Sequence, residues 1–382
     1  MTPTGRGGPA GSREPVESAW ELDGLALSRG EVDRSTTRRN DPAWIEAAWA
    51  DPRTRVLVLT GGAAGPRQGG PSGGQAPVRF SEAGARLVLV PAADAPAGLR
   101  FLLGVDEGGT AFFGVALPPG ERAQAEAIAR AAGGPAGGEV AGGGPAGGEV
   151  PGEVPGGGVP GGVPAGGVPG GFPAGEARLA GLREAGPLLD DRDAGLMTHA
   201  VALANWHASH PHCPRCGAMT SPQPAGNARV CPVDGSEHFP RIDPAVIMLV
   251  TDADDRCLLA RNQAWPQRRV SILAGFVEPG ESAEHAVVRE VAEETGITVS
   301  EVRYLASQPW PMPQSLMLGF RARATSGRQI RVDDDEIAEA RWFSRADLRA
   351  AMAAGEIRLP PPVSIAHQII RAWYGEPLPH IW

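Results

Sequence analysis

Three glutamates in the segment 282–297 have the spacing that brings side chains together on one face of a helix. In the sequence SAEHAVVREVAEETGI, Glu290, Glu293 and Glu294 lie at positions i, i+3 and i+4. Residues at this spacing are neighbours on the helix surface. Each carboxylate raises the pKa of the others, so the group favours a bound cation. The alternative is a solvated acidic face that pairs with arginines such as Arg289, as is common for acidic helices.

A longer motif surrounds these glutamates. Its constrained positions are, in chain order, Gly275, Glu281, Arg289, Glu290, Glu293, Glu294 and Gly296, with an aliphatic residue after Glu290 and another after Gly296. The spacing resembles the Nudix box at every constrained position. That box is the signature of a family of enzymes that cut pyrophosphate bonds with the help of a divalent metal. The motif therefore favours the metal-binding interpretation of the acidic face.

The resemblance implies a fold and a set of roles. The implied fold is of the α+β class, a Nudix α/β/α sandwich in which a mixed sheet lies between helices. The three glutamates of the helix face, together with Glu336, are expected to bind Mg²⁺ or Mn²⁺, and Arg289 is expected to pair with Glu281 to hold the preceding loop. Mg²⁺ favours a few carboxylates combined with substrate phosphates. There it neutralises pyrophosphate charge and activates a water for attack at phosphorus.

The apolar pattern predicts the elements that position this motif. Residues 243–252 and 256–262 are typical of two paired strands joined by a polar turn. Gly296 is a natural C-terminal cap for the acidic helix. The helix also has an apolar side to bury, supplied by Ala286, Val287, Val288 and Val291.

A second motif follows the helix. Residues 307–317, SQPWPMPQSLM, form a proline-stiffened loop that presents the indole of Trp310, which suits stacking on a ring. Out of context, such a tryptophan more often anchors its loop to the core. The segment resembles the motif of the NADH pyrophosphatase branch, with Met312 in place of the usual Phe, and the resemblance extends over about 176–382. The residues that match the lining of the family's dinucleotide pocket are Phe239, Phe276, Gln308, Trp310, Ser315 and Ala366.

The resemblance implies the hydrolysis of NADH or NAD⁺ to nicotinamide mononucleotide and AMP. NAD-capped RNA is a second substrate to consider, because family members remove that cap by cutting the same bond. The family also implies a homodimer in which the loop around Trp310 reaches toward the partner's site. The nearest alternative is a Nudix hydrolase of another nucleoside diphosphate derivative, such as ADP-ribose or a diadenosine polyphosphate. An alternative of another class is a non-catalytic regulator that binds nucleotide or RNA.

Three cysteines and an aspartate predict a zinc ribbon. Cys213 and Cys216 form a CxxC pair before a glycine, which lets two thiolates converge on one ion. Cys231 begins a second half that has an aspartate where a fourth cysteine is expected. The candidates for the fourth ligand are Asp234, His238 and His212. The opposing interpretation is a ribbon that has lost its zinc and remains as a packed turn, and on either interpretation its role is structural.

Composition narrows the class of protein. The chain has 382 residues, a formal net charge of −9 and no lysine, all 35 basic residues being arginine. Without lysine, Schiff-base chemistry and a P-loop are excluded, and the net acidity disfavours a sequence-independent grip on nucleic-acid phosphates. The N-terminus resembles no signal peptide, and no apolar run approaches the roughly 18 residues of a membrane helix. These features, with a cysteine pattern typical of a metal site, predict a cytoplasmic protein that does not bind membranes.

Composition also predicts the order of the domains. Residues 133–175 are almost all Gly, Pro, Ala, Val and Glu, so they cannot bury enough apolar surface to offset their ordering entropy. The strand-like runs of the N-terminal part lie at 56–59, 86–90, 101–105 and 109–117. The predicted segments are a disordered tail at 1–20, an N-terminal β-rich domain at 21–132, a Gly/Pro insert at 133–175, a helical connector at 176–211, a zinc-ribbon-like segment at 212–239 and a Nudix hydrolase domain at 240–382.

Overall fold

A computed structural model of the protein describes most of the chain in two compact units. The described residues are 20, 22, 24–60, 74–133, 175–325, 329–332 and 336–378. The predicted disordered tail and the predicted Gly/Pro insert lie almost entirely outside them. The first unit contains residues 26–243 and 309–316, and the second contains residues 1–25, 244–308 and 317–382.

The first unit contains small sheets and one long helix. Its helices and strands, in chain order, are α1 (Pro42–Ala50), β1 (Arg55–Leu59), β2 (Ala76–Ser81), β3 (Gly84–Leu87), β4 (Leu89–Pro91), β5 (Leu99–Val105), β6 (Ala111–Ala116), α2 (Arg122–Ala132), β7 (Ala177–Ala180), α3 (Leu182–Ala185), α4 (Asp191–Ser209), β8 (Ser221–Pro222), β9 (Arg229–Val230) and β10 (Glu237–His238). The sheets have the strand orders β4-β1-β6-β5, β3-β2-β7 and β10-β9-β8.

The predicted run 86–90 does not form one strand. Its first part belongs to β3, which pairs with β2, and its second part belongs to β4, which pairs with β1 in another sheet. The chain changes sheet at Val88, whose N–H donates to the carbonyl of Pro77 at 2.9 Å. The hairpin predicted from 101–105 and 109–117 is confirmed, because β5 and β6 pair antiparallel. The segment 176–211, predicted as a helical connector, begins with strand β7.

The second unit contains the acidic helix. Its elements, in chain order, are β11 (Asp243–Thr251), β12 (Cys257–Asn262), β13 (Leu273–Phe276), α5 (Ala283–Thr295), β14 (Val299–Trp310), β15 (Ser315–Ala324), β16 (Ile337–Phe343), α6 (Arg345–Ala353) and α7 (Ile365–Tyr374). The sheet has the order β14-β15-β11-β12-β16, and β13 pairs with β11. The predicted pair β11 and β12 is antiparallel.

Side-chain alternation along the central strands places helices on both faces of this sheet. Val246, Met248 and Val250 of β11 lie in one apolar core with Val287 and Val291 of α5. The intervening residues of β11 point to the other face and lie in a second core with residues of α6 and α7. Alternation with a period of two is expected of a strand buried on both sides. The predicted α+β class and the α/β/α sandwich are confirmed.

None of the helices in the described part of the chain has the length and apolar character needed to cross a bilayer.

Candidate functional site

Helix α5 lies within the predicted segment 282–297 and ends at Gly296, as predicted. The Ser282 side chain accepts a hydrogen bond from the His285 N–H at 3.2 Å, which caps the N-terminus. Gly296 adopts a left-handed conformation with φ of 67° and ends the helix. The predicted apolar side is correct except at Val288, which is 37% exposed. Val288 follows Val287 directly, and adjacent residues do not share a helix face.

Arg289 binds acceptors from the helix and from the loop before it. Its Nε and Nη2 donate to the two carboxylate oxygens of Glu281 at 2.9 Å each, and Nη2 also donates to the carbonyl of Phe276 at 2.9 Å. Its Nη1 donates to Glu290 and Glu293 at 2.9 Å each. The Arg289 hydrogen bonds lower the pKa of Glu281 to about 2. The predicted Arg289–Glu281 pair is therefore present in the structure.

The Glu290 carboxylate lies against the backbone of strand β13. A Cβ atom on Gly275 would lie 1.9 Å from Glu290 Cδ and 2.0 Å from its Oε1. Glycine is therefore required at position 275 if Glu290 is to keep this position. Burial raises the pKa of Glu290, Arg289 opposes that shift, and the charges of Glu293 and Glu336 add to it.

Glu294 is the most buried carboxylate of the acidic face. Its side chain lies in the interior, and among the described residues its Oε2 has no hydrogen-bond partner. Burial raises the pKa of Glu294 to about 8, and the nearby charges of Glu290, Glu336 and Glu293 contribute to the rise. A buried carboxylate without a partner is costly unless a cation or hydrogen bond compensates it.

The donor set of this site fits a hard divalent cation. The acidic face and Glu336 supply carboxylate oxygens, the ligands that Mg²⁺ and Mn²⁺ prefer. The unpartnered oxygen of Glu294 is the acceptor that such an ion would satisfy. Glu293, by contrast, is mostly exposed and is held by Arg289.

The residues predicted to line a dinucleotide pocket differ in their surroundings. Gln308 is fully buried: its Nε2 donates to the Val363 carbonyl at 3.0 Å, and its Oε1 accepts the Ile365 N–H at 2.6 Å. Its amide therefore fixes the chain at the start of α7, where Ala366 is also buried. Gln308 thus has a structural role that the motif alone does not reveal.

The aromatic residues of the predicted pocket are more accessible. Phe276 of the second unit is 59% exposed, and Phe239 of the first unit is 63% exposed. Trp310 is the last residue of β14 and Ser315 the first residue of β15; both are half-buried, and the loop 309–316 joins the two strands. Exposed aromatic rings are available for stacking, although each unit supplies its own part of this set.

Two residues that the sequence did not single out hold the loop 309–316. The Asn205 side chain of α4 donates to the carbonyls of Pro311 and Pro313 at 2.7 and 3.3 Å. The guanidinium of Arg183 lies over the Trp310 ring, with Cζ 5.6 Å from the ring centroid. Asn205 lies in α4, within the region of about 176–382 over which the family resemblance extends.

The predicted zinc ligands converge in the first unit. One ligand atom from each of Cys213, Cys216, Cys231 and Asp234 lies within 4.8 Å of the other three. The Sγ atoms of Cys216 and Cys231 are 3.5 Å apart, and Cys213 Sγ is 3.8 Å from Asp234 Oδ2. A tetrahedral zinc ion with Zn–S bonds of about 2.3 Å requires ligand separations of about 3.7 Å. The cluster fits zinc and favours Asp234 as the fourth ligand.

The two halves of the ribbon have the same backbone turn. In each half the first cysteine accepts a hydrogen bond at its carbonyl from a glycine four residues on, Gly217 for Cys213 and Gly235 for Cys231, at 2.9 and 3.0 Å. Both glycines have positive φ, 76° and 70°. Asp234 therefore occupies in the second turn the place that Cys216 occupies in the first. Hydrogen bonds from the Ser236 hydroxyl and N–H hold the pKa of Asp234 well below its usual range.

Comparison with known proteins agrees with this geometry. Residues 208–239 match the family model of the NADH pyrophosphatase zinc ribbon domain, and residues 241–361 match that of the NUDIX domain. The NAD-capped RNA hydrolase NudC of Mycobacterium tuberculosis (strain ATCC 25618 / H37Rv) is 50% identical over 205 residues, which are 52% of this chain and 66% of that protein. The human NAD-capped RNA hydrolase NUDT12 is 42% identical over 197 residues, 48% of this chain and 42% of that protein.

The chain thus spans just under two thirds of the mycobacterial relative and less than half of the human one. Among solved structures, a NUDIX hydrolase from Nitrosomonas europaea is similar with a TM-score of 0.35 and 20% identity, over 44% of this chain and 96% of that one. The family models cover the segments that contain the cysteine cluster and the acidic helix. The chain therefore contains an NADH pyrophosphatase zinc ribbon domain followed by a NUDIX domain.

Proposed function

We propose that this protein is a Mg²⁺- or Mn²⁺-dependent pyrophosphatase that hydrolyses NADH and NAD⁺ to nicotinamide mononucleotide and AMP. The observation that carries the proposal is the buried Oε2 of Glu294, which has no hydrogen-bond partner among the described residues and lies within a face of three carboxylates. That arrangement suits a cation better than a solvated acidic helix. The zinc ribbon and the names of the relatives support an NAD-type substrate.

The metal would be held by Glu290, Glu293, Glu294 and Glu336. When bound, a divalent ion neutralises pyrophosphate charge and lowers the pKa of a coordinated water. The protein's own residues contribute by holding the metal-binding carboxylates in place. Arg289 holds Glu290 and Glu293 at 2.9 Å each and fixes the loop through Glu281.

Substrate selection is proposed to rest on aromatic and loop residues. Trp310 presents a ring suited to stacking on a base or nicotinamide, and Phe239 and Phe276 are exposed rings that suit the same purpose. Such stacking contributes roughly 1–3 kcal/mol per base. Gln308 and Ala366 are proposed to shape the pocket from buried positions, whereas Ser315 lies beside the Trp310 loop.

NAD-capped RNA is a second substrate, favoured by the names of the relatives. Removing the cap cuts the same bond as NAD⁺ hydrolysis, so the same carboxylates serve both reactions. The formal net charge of −9 favours recognition of the cap over electrostatic binding to the RNA phosphates. A homodimer, which the family resemblance implies, is part of the same proposal. A cytoplasmic location is also part of it, because zinc thiolates suit a reducing compartment.

The proposal is tested by comparing kcat/KM for NADH, NAD⁺, ADP-ribose and NAD-capped RNA with Mg²⁺ or Mn²⁺. We expect NADH or the capped RNA to be the best substrate, with nicotinamide mononucleotide as one product. Preference for ADP-ribose would support the alternative of another nucleoside diphosphate hydrolase. Binding without turnover of any of them would support the non-catalytic regulator.

A further inference from the structure

The loop 309–316, which carries Trp310, is held by polar side chains from two helices of the first unit. We propose that Asn205 on α4 and Arg183 on α3 are positioning residues that fix the Trp310 indole for stacking against one ring of the dinucleotide. This inference rests on the proposed function, because it assigns two residues to substrate selection at that site.

Asn205 supplies donors that the loop lacks. Pro309, Pro311 and Pro313 have no backbone N–H, so much of the loop cannot hydrogen-bond to itself. Carbonyl groups in such a segment need donors from elsewhere. The Asn205 Nδ2 donates to two of them, at 2.7 Å to Pro311 and 3.3 Å to Pro313. One side chain on a long helix therefore fixes both ends of the turn that follows Trp310.

Arg183 fixes the ring itself. Its Cζ lies 5.6 Å from the Trp310 centroid, within the range of a cation–π contact. Its Nε also donates to the sulfur of Met312 at 3.2 Å. The guanidinium covers one face of the indole, so a substrate ring has only the opposite face on which to stack. The phenylalanine that is usual in the family motif would offer no acceptor for Arg183 at that atom.

The position of Asn205 depends in turn on the zinc ribbon. Two residues further along α4, His207 bonds to the Gly226 carbonyl at 2.7 Å and to Arg229 Nη1 at 3.0 Å. Arg229 is buried and also donates to the side chain and carbonyl of Thr220. The ribbon thereby fixes the C-terminal turns of α4, and α4 fixes the loop. This chain of contacts gives the ribbon a role in substrate selection.

Such residues are expected to change substrate binding and not the chemical step. A loop ordered before the substrate arrives loses less conformational entropy on binding. Removing the Asn205 donors should therefore raise KM for a substrate that stacks on Trp310. A substrate without rings gains nothing from the indole, so its hydrolysis should not change.

The test compares Asn205→Ala and Arg183→Met with the wild type on NADH and on P1,P2-dimethyl diphosphate, which carries one methyl ester on each phosphate and no ring. The matched control is Ser209→Ala, because Ser209 lies on the same helix and its hydroxyl bonds to the Asn205 and Trp206 carbonyls and to the His210 ring, not to the loop. Alanine is a better helix former than asparagine, so Asn205→Ala should fold normally. We expect KM for NADH to rise about five- to thirtyfold in Asn205→Ala, the effect of one or two lost hydrogen bonds. The kinetics of Ser209→Ala should match those of the wild type.

A double-mutant cycle with Trp310→Ala separates positioning from general structural damage. If Asn205 acts through the indole, its effect on KM for NADH should disappear in the Trp310→Ala background. An undiminished effect there, or an equal loss of kcat on the ring-free substrate, would overturn the inference. Failure of the proposed function is distinguishable, because the wild type would then not hydrolyse NADH with either Mg²⁺ or Mn²⁺.

Discussion

Gly275 and Glu290 are in direct contact, because the Glu290 carboxylate fills the space that a side chain at position 275 would occupy. A Cβ atom on Gly275 would lie 1.9 Å from Glu290 Cδ. The obstacle is the end of a flexible side chain and not backbone. Substitution at position 275 should therefore move the carboxylate more than it harms the fold.

We expect Gly275→Ala to fold and to lose activity. Displacing a reacting or metal-binding group by about 1 Å costs on the order of a hundredfold in rate. The measurement is kcat with saturating Mg²⁺, together with the melting temperature. Ala274→Gly in the same strand is the control, because it removes a side chain without entering the space of Glu290. A Gly275→Ala variant with wild-type kcat would show that the position of Glu290 does not matter for the reaction.

Glu294→Gln should separate chemistry from stability. The change keeps the shape of the side chain and removes the charge, so kcat should fall by at least about a hundredfold. The metal-free protein should be at least as stable as the wild type, because a buried and unpartnered carboxylate is costly. Glu284→Gln, in the exposed first turn of α5, is the control for both measurements. Activity within a few-fold of the wild type would contradict the metal-binding role of Glu294.

The sequence predicted the acidic helix well because its limits are encoded locally. Ser282 caps one end, Gly296 ends the other, and the three glutamates are set by helical spacing. The four side chains that converge at the ribbon were likewise singled out from two short turns. The local pattern did not separate Asp234 from the two histidines, because that choice depends on how the two turns face each other.

Contacts between distant parts of the chain could not be predicted in this way. Arg183 and Met312 are 129 positions apart, and no local pattern links them. The change of sheet at Val88 depends on which strands lie on either side. The buried role of Gln308 depends on the chain near Val363, more than fifty residues away. These contacts are set by tertiary packing.

The cysteine cluster should contain about one zinc ion per chain. Elemental analysis of freshly purified protein measures the zinc content directly. Asp234→Ala should lower it and Asp234→Cys should retain it, because a thiolate is the usual fourth ligand of such sites. Cys257→Ala is the matched control, since Cys257 is a buried cysteine in a core of the second unit. A wild type without zinc would support the interpretation of a ribbon that has lost its ion.

The predicted Gly/Pro insert should be dispensable for stability. The described residues on either side of it meet: a Cβ on Gly133 would lie 3.1 Å from the Ala177 backbone nitrogen. Deleting 134–174 leaves a short turn, and the entropy of loop closure depends only logarithmically on length. The melting temperature should therefore stay unchanged or rise by a few degrees. The control replaces the insert with a Gly/Ser linker of equal length. A large fall in melting temperature on deletion would mean that the insert packs on the fold.

His207 should make the first unit sensitive to mild acid. Burial lowers the pKa of His207 to about 4, and the nearby Arg229 charge contributes. In the neutral ring one nitrogen donates to the Gly226 carbonyl and the other accepts from Arg229. A second ring proton would face the guanidinium, so the folded protein resists protonation.

The direction of the pH dependence follows from the pKa of His207 in the unfolded and in the folded protein. The unfolded His207, with a pKa of about 6.5, gains its proton before the folded one does. Stability is therefore complete above about pH 6.5, falls as the pH drops toward 4, and levels off below that value. A shift of this size corresponds to about 3 kcal/mol at most. His199, whose pKa burial also lowers to about 4, adds to the acid sensitivity of the wild type.

The contribution of His207 can be isolated with His207→Gln, which keeps a donor and an acceptor but does not titrate. Free energies of unfolding measured in urea at pH 7 and pH 5 should differ less in the variant than in the wild type, because every other titrating group is retained. The direct measurement is an NMR titration of the eight histidine rings, in which the His207 signal should move near pH 4. A midpoint near 6.5, with the same pH dependence in both proteins, would show that the buried His207–Arg229 contact does not form in solution. The link from the ribbon to the Trp310 loop would then lose its first step.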